Sequence, residues 1–139
     1  HKLARLSSLA TLHDIGKIVI GKEILTKPRD LTQTEWEKVK EHAKAGYRIT
    51  SSTEEFANVA QEILSHHEHW DGSGYPEGLK KDEIPLLARI INIVDAYDVM
   101  ISGRPYQSAI SAQEAKAELK REAGKQFDPD LVEEFLRVI

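Results

Sequence analysis

The sequence predicts an all-α fold, a compact bundle of about six or seven helices in a single domain over residues 1–139. Three observations carry this expectation. Apolar residues recur at helical rather than alternating spacing. Capping signatures open several segments, at Thr32 with Glu35, Ser111 with Glu114, and Asp128 with Pro129. No alternating strand pattern, repeat or low-complexity tract interrupts them.

The chain opens inside an element. Leu3, Leu6, Leu9, Ala10 and Leu12 follow one helical face with no capping residue ahead of them, so the natural domain is expected to begin upstream of His1. Thr32 and Glu35 open a helix carrying Trp36, Val39 and His42, which Gly46 is expected to end. Another helix is expected from about Glu54 to His67, packing Phe56, Val59, Ala60, Ile63 and Leu64 inward and delivering paired histidines at its end. Residues 69–83, rich in Gly, Asp and Lys, read as a loop of functional length. Pro85 suits the first turn of a long helix to about Ser102. Two more helices start at Ser111 and Asp128, with Gly124 ending the first of them.

Composition narrows the function. A chain of 139 residues with 40% hydrophobic content can build a core of its own. Its net charge of −4 offers no overall basic field for a long nucleic acid, so a small anionic ligand would need local positive charge from metals or a few Lys and Arg. The absence of Cys excludes disulfides and thiolate-bound zinc and fits a reducing compartment, so the cytoplasm is the expected location. With no apolar run of about 18 residues and no signal-like start, no membrane contact is expected of this chain, and any tether would lie outside it.

Several polar residues violate the core pattern. His13 and Asp14 end the apolar stripe of the first helix, with Gly16 allowing the backbone to turn away. Asp95 lies inside an apolar run, where an ionised carboxylate must be paired, protonated or metal-bound. A buried ion pair to Arg89 or Lys17 is one reading of it and a metal ligand the other. His42 alone reads more readily as a solvent-facing residue or a dipole partner near a helix C-terminus than as a ligand. His66 and His67 stand about 100° apart on a helix, so both face one site only at the helix end or with two metals. His69 reads as a solvated loop residue. Together, His13, Asp14, His42, His66, His67 and Asp95 form a nitrogen and oxygen donor set that suits Fe, Mn or Zn.

These residues carry a resemblance. His13-Asp14-Ile15-Gly16-Lys17, His66-His67-Glu68, Asp71-Gly72-Ser73-Gly74-Tyr75-Pro76 and Val94-Asp95-Ala96-Tyr97-Asp98 resemble the HD-GYP family, a branch of the HD-domain metal-dependent phosphohydrolases. The similarity runs from about Leu9 to the C-terminus and includes Arg104-Pro105-Tyr106. It implies an HD-domain-like helical fold holding two or three divalent iron or manganese ions and hydrolysing cyclic di-GMP, or a related cyclic dinucleotide, to linear pGpG or GMP. By the same resemblance, His13, Asp14, His42, His66, His67 and Asp95 are metal ligands, with Asp14 bridging. Asp14, Lys17 and Asp98 are expected to be catalytic, with Lys17 and Arg104 near the substrate phosphates. Gly74, Tyr75 and Pro76 shape the signature loop beside the site, a candidate contact for diguanylate cyclase (GGDEF) domains.

The chain departs from the family pattern in three places. A further ligand from an upstream helix is not within it, and His1 cannot substitute, being about 18 Å along the helix from His13. Gln107 stands where the family often has a basic residue, and Gly103 where it often has Asp. A weakly active or inactive module that binds a cyclic dinucleotide or a protein is therefore an alternative. An HD-type hydrolase of another nucleotide is a second, though it leaves the Gly-Tyr-Pro loop unexplained.

Overall fold

The computed structural model describes residues 1–28, 30–104 and 107–139. Pro105 and Tyr106, which belong to the resemblance, lie outside the described residues, as does Arg29. Among the described residues are seven α-helices and no strand. They are α1 (Lys2–Leu12), α2 (Lys22–Leu25), α3 (Gln33–Ser51), α4 (Ala60–Ser65), α5 (Leu86–Ser102), α6 (Ala112–Glu122) and α7 (Pro129–Val138). Shorter 3-10 turns lie at Ile15–Val19, Ala57–Val59 and Lys81–Glu83. No helix among the described residues is long and apolar enough to cross a membrane.

Capping chemistry sets the starts of the longer helices. Thr32 Oγ1 accepts from the Glu35 amide at 3.2 Å, and Glu35 Oε2 accepts from the Thr32 amide at 2.8 Å. Ser111 and Glu114 repeat the exchange at 3.1 and 3.0 Å. Asp128 accepts from the Asp130 and Leu131 amides and from Arg89 Nη1 at 2.8 Å, which ties the start of α7 to α5. The apolar residues of α5 serve two cores. Leu87 and Ile91 join Leu9 of α1 with Val59 and Ile63, while Ile93 joins Leu119 of α6 with Phe127 and Val132.

Two boundaries differ from the sequence expectation. Gly46 does not end α3, which continues to Ser51. It is instead a packing glycine, because a Cβ there would lie 2.8 Å from Ile63 Cγ2. A Cβ on Gly16 would overlap the carbonyl oxygen of His42 and lie 2.6 Å from Gly46 N, so the Ile15–Val19 turn rests directly on the α3 backbone. The second difference is at 54–67, where the expected helix is replaced by the Ala57–Val59 turn and the short α4. The hydroxyls of Thr50, Ser51, Ser52 and Thr53 bond back to carbonyls three or four residues earlier and close α3 in that segment. Val59, Ala60 and Ile63 are buried as expected, but Phe56 and Leu64 are only partly so.

Backbone crowding at Gly16 has a measurable consequence. Gly16→Ala should destabilise the chain by about 3 kcal/mol or more, the upper range for overpacking. Gly124, at φ +84° with open space around it, should lose only the roughly 1–2 kcal/mol of left-handed strain on substitution by Ala. Urea unfolding of the two variants decides this, and a Gly16→Ala midpoint no lower than that of Gly124→Ala would contradict the contact.

Candidate metal centre

Helix ends deliver the site. His13 caps the C-terminus of α1, Asp14 opens the following turn, His42 lies on the buried face of α3, and His66 caps α4 with His67 next to it. Because α4 stops at Ser65, the two consecutive histidines lie at the helix end, the first of the two arrangements that lets both face one site.

Three of the imidazoles are tethered in the same way. His13 Nδ1 lies 2.9 Å from Ala10 O, His42 Nδ1 2.6 Å from Val39 O, and His66 Nδ1 2.6 Å from Ile63 O. A carbonyl can only accept, so each Nδ1 carries the hydrogen and, in the neutral ring, each Nε2 presents a lone pair. These Nε2 atoms gather around Asp14. Its Oδ1 is 3.6 Å from both His42 and His66, and its Oδ2 is 3.3 Å from His13. His67 Nε2 lies 3.1 Å from His42 Nε2, a contact satisfied by one proton or by a shared cation. One ligand atom from each of Asp14, His42, His66 and His67 lies within 4.8 Å of the others. Asp95 Oδ1 extends the group at 3.5 Å from His13 Nε2.

The donors fit a cation. His13 Nε2 and His66 Nε2 are buried and make no well-formed hydrogen bond, meeting only carboxylate oxygens at 3.3 and 3.5 Å for His13 and 3.6 Å for His66, an arrangement that a cation between the donors would complete. A cluster of four imidazoles and two carboxylates with no thiolate could hold a divalent metal ion of the harder or intermediate kind.

Electrostatics divides the histidines. Burial holds His67 well below the usual histidine range, with His66 and His42 adding to the effect, and burial likewise lowers His42. His13 behaves oppositely: burial works against its charge, but contact with the Asp14 and Asp95 carboxylates outweighs it and raises the ring to about 10. Burial also opposes the charge on Asp14, yet His13 and His66 keep its carboxyl far below the ordinary carboxylate range. Without a cation, His13 therefore holds a proton between two acids. Metal binding would displace it.

The other expected site residues divide into those at the cluster and those away from it. Lys17 Nζ is 3.2 Å from Asp14 Oδ2, and Arg89 pairs with Asp128, so neither supplies the ion pair that was one reading of Asp95. Tyr75 stacks on His67 at 5.1 Å and 20°, with Trp36 edge-on and Lys40 Nζ 5.7 Å from its centroid. A Cβ on Gly74 would lie 2.6 Å from Glu68 Cα, so this glycine lets the signature loop press against the histidine segment, and Pro76 follows Tyr75 there through a cis bond. Asp98 is exposed and accepts from Ser102 Oγ at 3.3 Å. Arg104 is exposed and donates from Nη1 to Gly103 O at 3.1 Å, so neither residue meets the cluster. His69 is half-buried and bonds Ser73 Oγ at 3.1 Å rather than standing free in solvent. Sequence reasoning gave no role to Glu68, whose carboxylate is buried, or to the Trp36 and Lys40 neighbours of Tyr75. Two histidines followed by an acid was the available signal for Glu68.

These shifts act on stability from both sides. Below pH 6.5 the unfolded chain takes up protons that His42 and His67 refuse in the fold, so acid destabilises. Above pH 6.5 the unfolded chain loses a proton that His13 keeps until about 10, so alkali destabilises as well. The metal-free chain should be most stable near pH 6.5, losing up to about 1.4 kcal/mol per pH unit for each such group on either side. Urea midpoints in chelator across pH measure this. Added Mn2+ should flatten the alkaline limb, and a chelated protein with no alkaline limb would contradict the His13 environment.

Comparison with known proteins agrees with this geometry. The family whose profile matches the chain is described as the HD domain, and the match spans residues 2–131. A curated relative from Thermotoga maritima, named cyclic di-GMP phosphodiesterase, is 47% identical over 131 residues, covering 93% of this chain and 36% of the relative. A Vibrio cholerae relative named 3'3'-cGAMP-specific phosphodiesterase 2 is 38% identical over 130 residues, covering 92% of this chain and 25% of the relative. The chain thus spans about a third or less of the length of these curated relatives. A crystal structure titled as a cyclic GMP-AMP specific phosphodiesterase of V. cholerae shares the fold, with a TM-score of 0.72 at 24% identity over 99% of this chain and 38% of that one. A profile match over almost the whole chain, on a helical frame that brings the His-Asp pair and the Gly-Tyr-Pro loop to one place, establishes that the chain belongs to the HD-domain family, in its HD-GYP branch.

Proposed function

We propose that this domain is a metal-dependent phosphodiesterase hydrolysing cyclic di-GMP, or a related cyclic dinucleotide, to linear pGpG or GMP. The observation that carries the reading is the convergence of imidazole Nε2 atoms from separate elements on the two oxygens of Asp14, two of those nitrogens being buried without a well-formed hydrogen bond. Relatives named for cyclic di-GMP and for 3'3'-cGAMP support the substrate class.

In this reading His13, Asp14, His42, His66, His67 and Asp95 hold two, or three, iron or manganese ions. Asp14 would be the shared ligand, since its Oδ1 faces His42 and His66 while its Oδ2 faces His13. When bound, such ions supply Lewis-acid stabilisation of phosphodiester oxygens and lower the pKa of water. Lys17 Nζ, beside Asp14 Oδ2 and 43% exposed along its side chain, presents positive charge to an arriving phosphate. Asp98 lies one helical turn from Asp95 and is assigned to orient water, carry a proton or support a metal-bound histidine, and Arg104 to bind phosphate. Both are exposed and neither meets the cluster, so these two roles rest on the family resemblance. Gly74, Tyr75 and Pro76 wall the site over His67, and the same loop is the proposed contact for diguanylate cyclase (GGDEF) domains. A nucleotide substrate and a cysteine-free chain accord with a cytoplasmic location.

Asp14→Ala tests the reading. Bound iron and manganese should fall by more than the roughly 100-fold that follows loss of a supporting residue, with cyclic di-GMP turnover lost alongside. The thermal midpoint of the metal-free variant should also fall near neutral pH, because protonated His13 loses one of its two acids, so metal content and turnover decide the matter. Metal retained in Asp14→Ala would remove the centre of the proposal.

A further inference from the structure

Glu68 is a fully buried acid that the chemistry above does not use. Its side chain accepts two backbone hydrogen bonds, Oε1 from the Glu77 amide at 2.7 Å and Oε2 from the Leu79 amide at 3.0 Å. None of the ion pairs among the described residues includes it. Its own carbonyl is held by Asn92 Nδ2 at 2.9 Å, and Asn92 is held in turn by Gln126 Nε2 at 3.2 Å, so the residue is fixed to α5 and to the segment before α7.

The two gripped amides belong to the loop that carries Tyr75. That loop is pinned again where the Tyr75 amide donates to His67 O at 3.2 Å. Between these anchors the Tyr75 ring lies flat on His67, and His67 Nε2 meets His42 Nε2 at 3.1 Å. His67 is the cluster histidine whose Nδ1 is not tethered to a carbonyl three residues back, as those of His13, His42 and His66 are. Its ring needs another constraint, and the stacked phenol provides one. A carboxylate suits the grip because it only accepts and offers an oxygen to each amide.

We propose that Glu68 is a positioning residue, which clamps the loop backbone at Glu77 and Leu79 so that Tyr75 fixes the orientation in which His67 presents Nε2. Its consequence for cation binding rests on the metal reading above, whereas the clamp itself does not.

Glu68→Gln is the test, since glutamine turns N–H donors toward one of the two amides. In chelator, the ring-current shift of the His67 carbon-bound protons should be present in the unmodified chain, absent in Tyr75→Leu and reduced by at least about half in Glu68→Gln, with the His13 signals unmoved. A Glu68→Gln protein that keeps the His67 shifts, however much its thermal midpoint falls, would overturn the proposal. Should that variant not fold, amide exchange in the unmodified chain decides: Glu77 and Leu79 should exchange at least about 100-fold more slowly than free peptide, and free-peptide rates there would overturn the clamp. Titration with Mn2+ alone then reads the consequence. Affinity should fall about tenfold in Glu68→Gln, and an unchanged affinity in a variant that has lost the stack would break the link from Tyr75 to His67. An unmodified chain that binds no Mn2+ would count against the metal reading while leaving the ring measurement to judge Glu68.

Discussion

Gly16 and Gly46 meet with no side chain between them, and this approach of the Ile15–Val19 turn to α3 sets where Asp14 can be. Were the turn lifted by the width of a methyl group, Asp14 Oδ1 would leave the reach of His42 and His66, which come from elements packed on the other side of the contact. Ile63 packs against Gly46 from α4, so Gly46 also sets the depth at which His66 and His67 emerge. The site is thus positioned by backbone packing, which is stiffer than side-chain packing because it has no rotamers through which to relax.

Orientation is a separate matter from position. His13, His42 and His66 are aimed by the carbonyls of the helical turns that carry them, so each ring is fixed by its own helix. Asp14 then needs no rigid tether of its own, being surrounded by groups that favour its ionised form. The arrangement separates folding of the frame from saturation of the donors. The helices can form and pack while His13 Nε2 and His66 Nε2 still lack a well-formed hydrogen bond.

Much of this frame was legible in the residues. Thr32 with Glu35 and Ser111 with Glu114 announce helix starts because the capping exchange is local, and the structure shows both pairs. The His13-Asp14 pair and the paired histidines stood out as candidate donors only as a set and with the Gly-Tyr-Pro loop, since each alone has a bland reading. Other features were not. Gly46 was expected to end a helix, since a missing Cβ looks the same in sequence whether it serves a turn or a close approach. The partner of Asp95 could not be read, because His13 is distant in sequence while Arg89 and Lys17 are equally plausible by charge. Glu68 had no role assigned beyond its place after the paired histidines, and only the fold turns its carboxylate toward amides farther along the chain.

The placement of His13 at the C-terminal cap of α1 has a consequence for the charge of the site. A helix C-terminus carries negative partial charge and favours a cation beside it. With His13 protonated and Lys17 next to Asp14, two cationic groups balance the two carboxylates, so the metal-free cluster carries no large field of either sign. A divalent cation that displaced the His13 proton would raise the local charge by one rather than two. Proton and cation thus compete for one nitrogen, and occupancy of the cluster would weaken as the pH falls.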